Sequence, residues 1–229
     1  MLFTFFTKLL QPVAFLLYLI GFFIYRRRQQ QSNDTQALFV YFILATILHF
    51  VIGICIIVNN KIDNIWLYEI SALLTVAFIG YHFYRILPGK HQKRTVIICV
   101  TVYLLYACFR QFTLEGQRVF DSIGYALLSA SVAAYVFMYF QQLLKNVNEV
   151  SILQDFNFWL SSSFLLYFVG SFIIFVNYHN LTNKYLKRKT PEDMELLMAL
   201  WGLHNVLLFL GALVLLTGSL WVSYRRKLT

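Results

Sequence analysis

Residues 196–222 read LLMALWGLHNVLLFLGALVLLTGSLWV, an uninterrupted run without a charged side chain. Hydrocarbon about 30 Å thick is crossed by roughly 20 apolar residues rising 1.5 Å each along a helix, so this run is long enough to span a bilayer. Six more apolar stretches precede it, at approximately Phe3–Tyr25, Gln36–Val58, Asn64–Ile86, Thr95–Phe112, Ser122–Leu144 and Phe158–Tyr178. A segment in lipid must satisfy its own backbone hydrogen bonds, and none of the seven shows the two-residue alternation of a barrel strand. The expectation is therefore an all-α polytopic integral membrane bundle of seven transmembrane helices, a single domain over residues 1–229. Composition agrees. Hydrophobic residues make up 59% of the chain and charged residues 13%, against roughly 45–50% and 25% in soluble domains.

The punctuation fits the same picture. Pro88-Gly89 and Pro191 fall between spans, where they can end helices, and Pro12 lies inside the first span, where it should kink it. That first segment differs from a signal peptide because its positive charges, Arg26 to Arg28, follow the apolar core, and it reads as a retained span. Cys55, Cys99 and Cys108 lie within spans without CxxC spacing and read as small buried apolar residues.

Orientation follows from the connecting segments. One side holds Arg26, Arg27, Arg28, Arg85, Lys90, Lys93, Arg94, Lys145, Arg225, Arg226 and Lys227, with the acids Asp34, Glu149 and Asp155. The other side holds Lys8, Lys61, Arg110, Arg118, Lys184, Lys187, Arg188 and Lys189, with Asp63, Glu69, Glu115, Asp121, Glu192, Asp193 and Glu195. Counting Lys and Arg, eleven against eight places the N-terminus outside and the C-terminus in the cytoplasm. The net charge of +9 is thereby accounted for by topology and attraction to anionic lipid headgroups, with little reason to invoke nucleic acid.

Small residues mark where helices can approach closely. Ala126, Ala130 and Ala134 share a face of the fifth span, and Gly211 and Gly218 serve the seventh. Ser161 to Ser163, with Gly170 and Ser171, give the sixth span a partly polar face for interhelical hydrogen bonds.

Ionisable groups within lipid point to function, because each needs a partner or water. His49, Glu69 and His204 lie about 13, 8 and 12 Å from the outer ends of their spans, counting 1.5 Å per residue. Their similar depth allows a shared pocket in the outer half of the bundle, which Arg110, Asn205 and the Tyr68 hydroxyl could join. Such a site suits a polar ligand, a proton-linked switch or a metal, with His49, Glu69 and His204 as candidate ligands. The plainer alternatives are a Glu69 reaching headgroup water and two neutral histidines bonded to neighbouring helices. His82, His91 and His179 sit near span ends or in loops and read as solvated.

Familiar seven-helix chemistries fail on their residues. The seventh span has no lysine for a retinal Schiff base and no NPxxY, and the third ends Gly80-Tyr81-His82-Phe83-Tyr84-Arg85 without an acid before the arginine. No span repeats arginines as a voltage sensor does, and matched Gly/Pro interruptions of a transporter repeat are missing. There is no HExxH.

Three stretches carry a family resemblance: Asn64-Ile65-Trp66-Leu67-Tyr68, then Phe158-Trp159-Leu160-Ser161-Ser162 with Tyr167 and Gly170, and Leu200-Trp201-Gly202-Leu203-His204-Asn205. Together they resemble a family of seven-helix multi-pass membrane proteins of Bacteroidota-type bacteria, often encoded near sensor kinases. The resemblance implies residence in the bacterial inner membrane and a signalling role. Members often carry a glutamate one turn further into the third span, where this chain has Leu73 and Leu74, so Glu69 is not its equivalent. The expected function is a sensory or accessory signalling module, with membrane lipids and a sensor kinase as partners and no cofactor. The alternative is an intramembrane metal-dependent lipid hydrolase similar to the ceramidase and lysoplasmalogenase groups. In that case zinc held by His49, Glu69 and His204 would activate the attacking water.

Overall fold

A computed structural model describes residues 2–27, 33–58, 65–113, 120–145 and 152–225. Arg28, Lys61, Asp63, Asn64, Glu115, Arg118, Glu149, Arg226 and Lys227 lie outside the described residues, as do the side chains of Lys8 and Asp34. The chain is all-helical over the described residues: α1 (Leu2–Arg26), α2 (Asn33–Val58), α3 (Ile65–Ile86), α4 (Lys90–Thr113), α5 (Ser122–Lys145), α6 (Phe156–Arg188) and α7 (Pro191–Arg225), with one 3-10 turn at Ile152–Gln154. All seven helices are long and apolar enough to cross a membrane. Pro12 lies inside α1 without ending it.

The expected spans and the helices coincide except around the last two. The charged stretch expected to be a loop, Lys184 to Glu195, is helical apart from Lys189 and Thr190. Local chemistry explains the difference. Lys189 takes a left-handed conformation (φ 53°) and its N–H donates to the Tyr185 carbonyl at 2.7 Å, closing α6. Thr190 then caps α7, its hydroxyl accepting from the Asp193 N–H at 3.3 Å, with Pro191 at the first helical position. Lys184 Nζ donates to Asp193 Oδ1 at 2.7 Å across this hairpin. Helices of 33 and 35 residues are about 50 Å long, some 20 Å more than the hydrocarbon is thick, and the charged hairpin on the side where α1 begins takes up part of that excess.

Other ends are equally explicit. Leu87-Pro88-Gly89 breaks α3 from α4, and the Gln92 side chain reaches back to accept from the Gly89 N–H at 3.1 Å. Asp155 caps α6 through the Asn157 N–H at 2.9 Å and also accepts from the Tyr139 hydroxyl at 2.6 Å, tying the end of α5 to the start of α6.

Helix neighbours define a ring with one member outside it. Contacts run α1–α2–α3, then directly α3–α5, then α5–α6–α7 and back from α7 to α1, while α4 sits outside the α3–α5 junction. Only 11% of the α4 span is buried, against 39–50% of each of the others, which confirms its peripheral place. Tight approaches inside the ring use glycine. A Cβ at Gly21 would lie 3.2 Å from Leu216 Cα, one at Gly211 would lie 3.1 Å from the Ser163 carbonyl, and one at Gly218 would overlap the Trp159 ring. The alanine face expected on α5 does not form as a unit, since Ala126 is buried and Ala130 exposed. In lipid an apolar methyl gains little from being covered, so α5 turns Tyr125 and Tyr135 inward, where their hydroxyls donate to the Tyr68 and Val96 carbonyls. Among the cysteines, Cys55 and Cys99 are half-buried, but Cys108 is exposed on the peripheral helix.

Candidate functional site

The ring encloses a polar cavity built by six helices, every one except α4. Gln11 and Tyr18 come from α1, Tyr41 and His49 from α2, Tyr68, Ser71 and Thr75 from α3, Tyr125 from α5, Tyr167 from α6, and Trp201 and His204 from α7. Phe15, Phe42, Phe164, Phe168, Ile79, Leu128 and Leu208 complete the wall. Its free space is about 30 Å³, room for about two water molecules. Among the described residues no Asp, Glu, Lys or Arg lines it.

Each hydroxyl and imidazole is held by a defined partner. His49 Nδ1 lies 2.8 Å from the Ala45 carbonyl, which can only accept, so Nδ1 carries the proton and Nε2 of the neutral ring presents its lone pair. Ser71 Oγ, at 3.5 Å, faces that lone pair, and Phe15 stacks on the ring with centroids 3.9 Å apart. His204 lies against Tyr167 Oη at 3.4 Å and Ser171 Oγ at 3.3 Å, inside a cage of Phe175, Tyr167 and Trp201. Thr75 donates to the Ser71 carbonyl at 2.7 Å, which makes Tyr41, 3.1 Å from Thr75 Oγ1, the donor in that pair. Tyr18 meets Ser163 Oγ at 2.7 Å, the α1–α6 bond that the serine-rich face of the sixth span foreshadows. Tyr125 donates to the Tyr68 carbonyl at 2.8 Å, while the Tyr68 hydroxyl reaches Gln11 Oε1 at 3.4 Å.

Aromatic clusters pack toward both ends of the ring's interior. On the side where α1 begins, Phe120 packs among Tyr68, Tyr125, Phe175, Tyr178 and Trp201, with centroids 4.9–5.9 Å away. At the opposite end Phe22, Tyr25, Phe42 and Phe156 interlock, Tyr25 and Phe156 stacking at 3.7 Å.

The expected site residues divide between two places. His49, His204 and Tyr68 line the cavity together. Glu69 and Arg110 do not, because Glu69 follows Tyr68 by 100° around α3 and so faces the outer helix α4. There Arg110 pairs with Glu69 at 2.6 Å and with Asp121 at 3.3 Å. Asn205, 100° from His204, is fully buried but does not line the cavity. His82, expected near solvent, is 2% exposed and packs beside Phe83. Gln11, Tyr18, Tyr41, Ser71, Thr75, Tyr125 and Tyr167 were not singled out as pocket residues by sequence; the available signal was polar groups at mid-span, where lipid offers them nothing.

This division decides which chemistries the residues fit. Zinc would need Glu69 beside the two histidines, and among the described residues no three His, Cys, Asp or Glu side chains converge as metal ligands. The donor set does not fit a zinc centre. The Ser71–His49 pair has a backbone carbonyl where an acyl-transfer triad has an orienting carboxylate. Helix-interior N–H groups are already bonded, so the wall offers no backbone oxyanion hole. What remains is an aromatic, uncharged, hydrogen-bonding chamber, the lining typical of a small-molecule site. No protein-family model, curated protein or solved structure matches this chain.

Proposed function

We propose that the chain is a membrane sensory or accessory signalling module whose central chamber binds a small uncharged molecule. The supporting observation is that six helices meet at one chamber and each contributes a polar or aromatic group to it. An occupant larger than two waters must displace wall side chains or the helices that carry them, and an occupant that prefers one arrangement biases the bundle toward it. Tyrosine hydroxyls and imidazoles suit a neutral partner carrying both donors and acceptors, whereas a chamber without a counter-ion disfavours a charged one.

The same reading places the chain in a bacterial inner membrane, within the Bacteroidota-type family of its sequence resemblance, acting on a sensor kinase. Its basic ends, including Arg26 and Arg225, would lie in the cytoplasm. A reporter pair fused after Thr229 tests the orientation: green fluorescence without periplasmic phosphatase activity is expected, and the reverse pattern would invert the assignment. For the signalling role, cells of origin carrying His49→Phe with His204→Phe should keep normal levels of the protein in the membrane. They should nevertheless share the altered phosphoprotein profile of a deletion strain. A deletion strain whose profile equals its parent's would remove the signalling role.

A further inference from the structure

A second hollow lies outside the ring, in the triangle of α3, α4 and the start of α5, with a volume of about 480 Å³. Its wall changes character along the helix axis. At the end nearer the α1 start sit Glu69, Arg110, Gln111 and Asp121, beside Trp66, which is 55% exposed. Ile70 follows Glu69 directly, and one to two turns deeper the wall is Leu73 and Leu104; all three are at least 39% exposed. The hollow is thus polar at the headgroup level, apolar below, and flanked by a tryptophan of the kind enriched at membrane interfaces. Peripheral α4 leaves it open, and at that depth the surrounding medium is lipid.

Charge selects the head. Arg110 is shared by Glu69 and Asp121, so among the described residues the cluster carries a formal net charge of −1. Asp121 is the more enclosed of the two, its side chain 12% exposed, with Oδ1 accepting from Tyr106 at 2.7 Å and from the Gly124 N–H at 2.9 Å while Oδ2 faces Arg110. Glu69 accepts one bond at each oxygen, from Arg110 and from Gln111 at 3.1 Å, and its side chain stays 27% exposed. A carboxylate has about four lone-pair sites, so Glu69 retains acceptor capacity at the mouth of the hollow. A primary ammonium can donate to it; a quaternary ammonium cannot, and an anionic head meets the excess negative charge.

We propose that this hollow seats a phospholipid with a primary-ammonium headgroup, from the leaflet on the side where α1 begins. The ammonium bonds Glu69, the phosphate lies toward Arg110, and one acyl chain runs down between Leu73 and Leu104. Tyr125 lines both this hollow and the central chamber, but lipid binding here does not require any signalling role.

Native mass spectrometry tests it, after equilibration in micelles with equal amounts of phosphatidylethanolamine, phosphatidylcholine and phosphatidylglycerol of identical chains. The wild-type protein should retain phosphatidylethanolamine over each of the others by about fivefold, roughly 1 kcal/mol at 1.4 kcal/mol per decade. Glu69→Gln leaves Arg110 paired with Asp121 and should level the three. Leu104→Trp, at a position where the fold needs no particular side chain, fills the hollow and should reduce retention of all three. Equal retention by the wild type, a preference for phosphatidylglycerol, selectivity that survives Glu69→Gln, or a protein dimer in place of bound lipid would each overturn the assignment.

Discussion

Removing the Arg110 guanidinium is expected to destabilise the bundle by about 3–5 kcal/mol, because among the described residues it leaves two carboxylates facing one another with no cation between them. Glu69 lies 2.6 Å and Asp121 3.3 Å from the guanidinium, and the Arg110 and Asp121 side chains are each only 12% exposed. Penetrating water and headgroups relieve less of the repulsion there than on an open surface. Thermal unfolding in detergent micelles should show Arg110→Ala as the least stable single variant of the cluster. Adding Glu69→Gln and Asp121→Asn removes the uncompensated charge and should recover most of the loss, since both amides keep an acceptor oxygen. A triple variant as unstable as Arg110→Ala would mean that packing of the arginine stem, rather than charge, holds α4 to the ring.

The second large effect is expected where α6 and α7 touch. A leucine in place of Gly218 must displace the Trp159 ring, whose root rather than its tip occupies the space a Cβ needs. That ring is also fixed by its Nε1–H bond to the Leu153 carbonyl at 3.0 Å, so it cannot swing aside without losing a partner. Overpacking of this kind costs about 1–3 kcal/mol, sometimes more. Gly53→Ala is the matched control. Its Cβ would meet only Pro12 Cγ at 3.7 Å, and replacing a helical glycine by alanine should contribute up to about 1 kcal/mol of stability. Opposite shifts in melting temperature for the two variants are predicted. Similar shifts would show that the α6–α7 contact is soft.

The two variants also mark where sequence reading succeeds and stops. Gly211 and Gly218 are recognisable as contact positions because small residues are what let helices approach in lipid. Ala126, Ala130 and Ala134 satisfy the same rule, yet Ala130 faces outward, because a methyl group is equally at home against lipid or protein. Polarity gives the firmer signal. His49, His204 and Tyr68 turn inward as a polar group at that depth should, and the serine-rich face of α6 finds Tyr18 through Ser163.

Length, apolar runs and helix-ending residues by themselves determined that the chain is seven membrane helices, because lipid leaves the backbone no other way to bond itself. Relative height along the bundle was legible too, since 1.5 Å per residue converts position along a helix into height and His49 and His204 reach the same chamber. Azimuth was not. Tyr68 and Glu69 are neighbours in sequence at nearly the same height, and only the packing of α3 against α5, with α4 pushed outside, sends one into the chamber and the other to Arg110. Which faces meet depends on side chains from helices far apart in the chain. Tertiary structure therefore decided that one expected site is two, an uncharged chamber within the ring and a charged hollow on its flank.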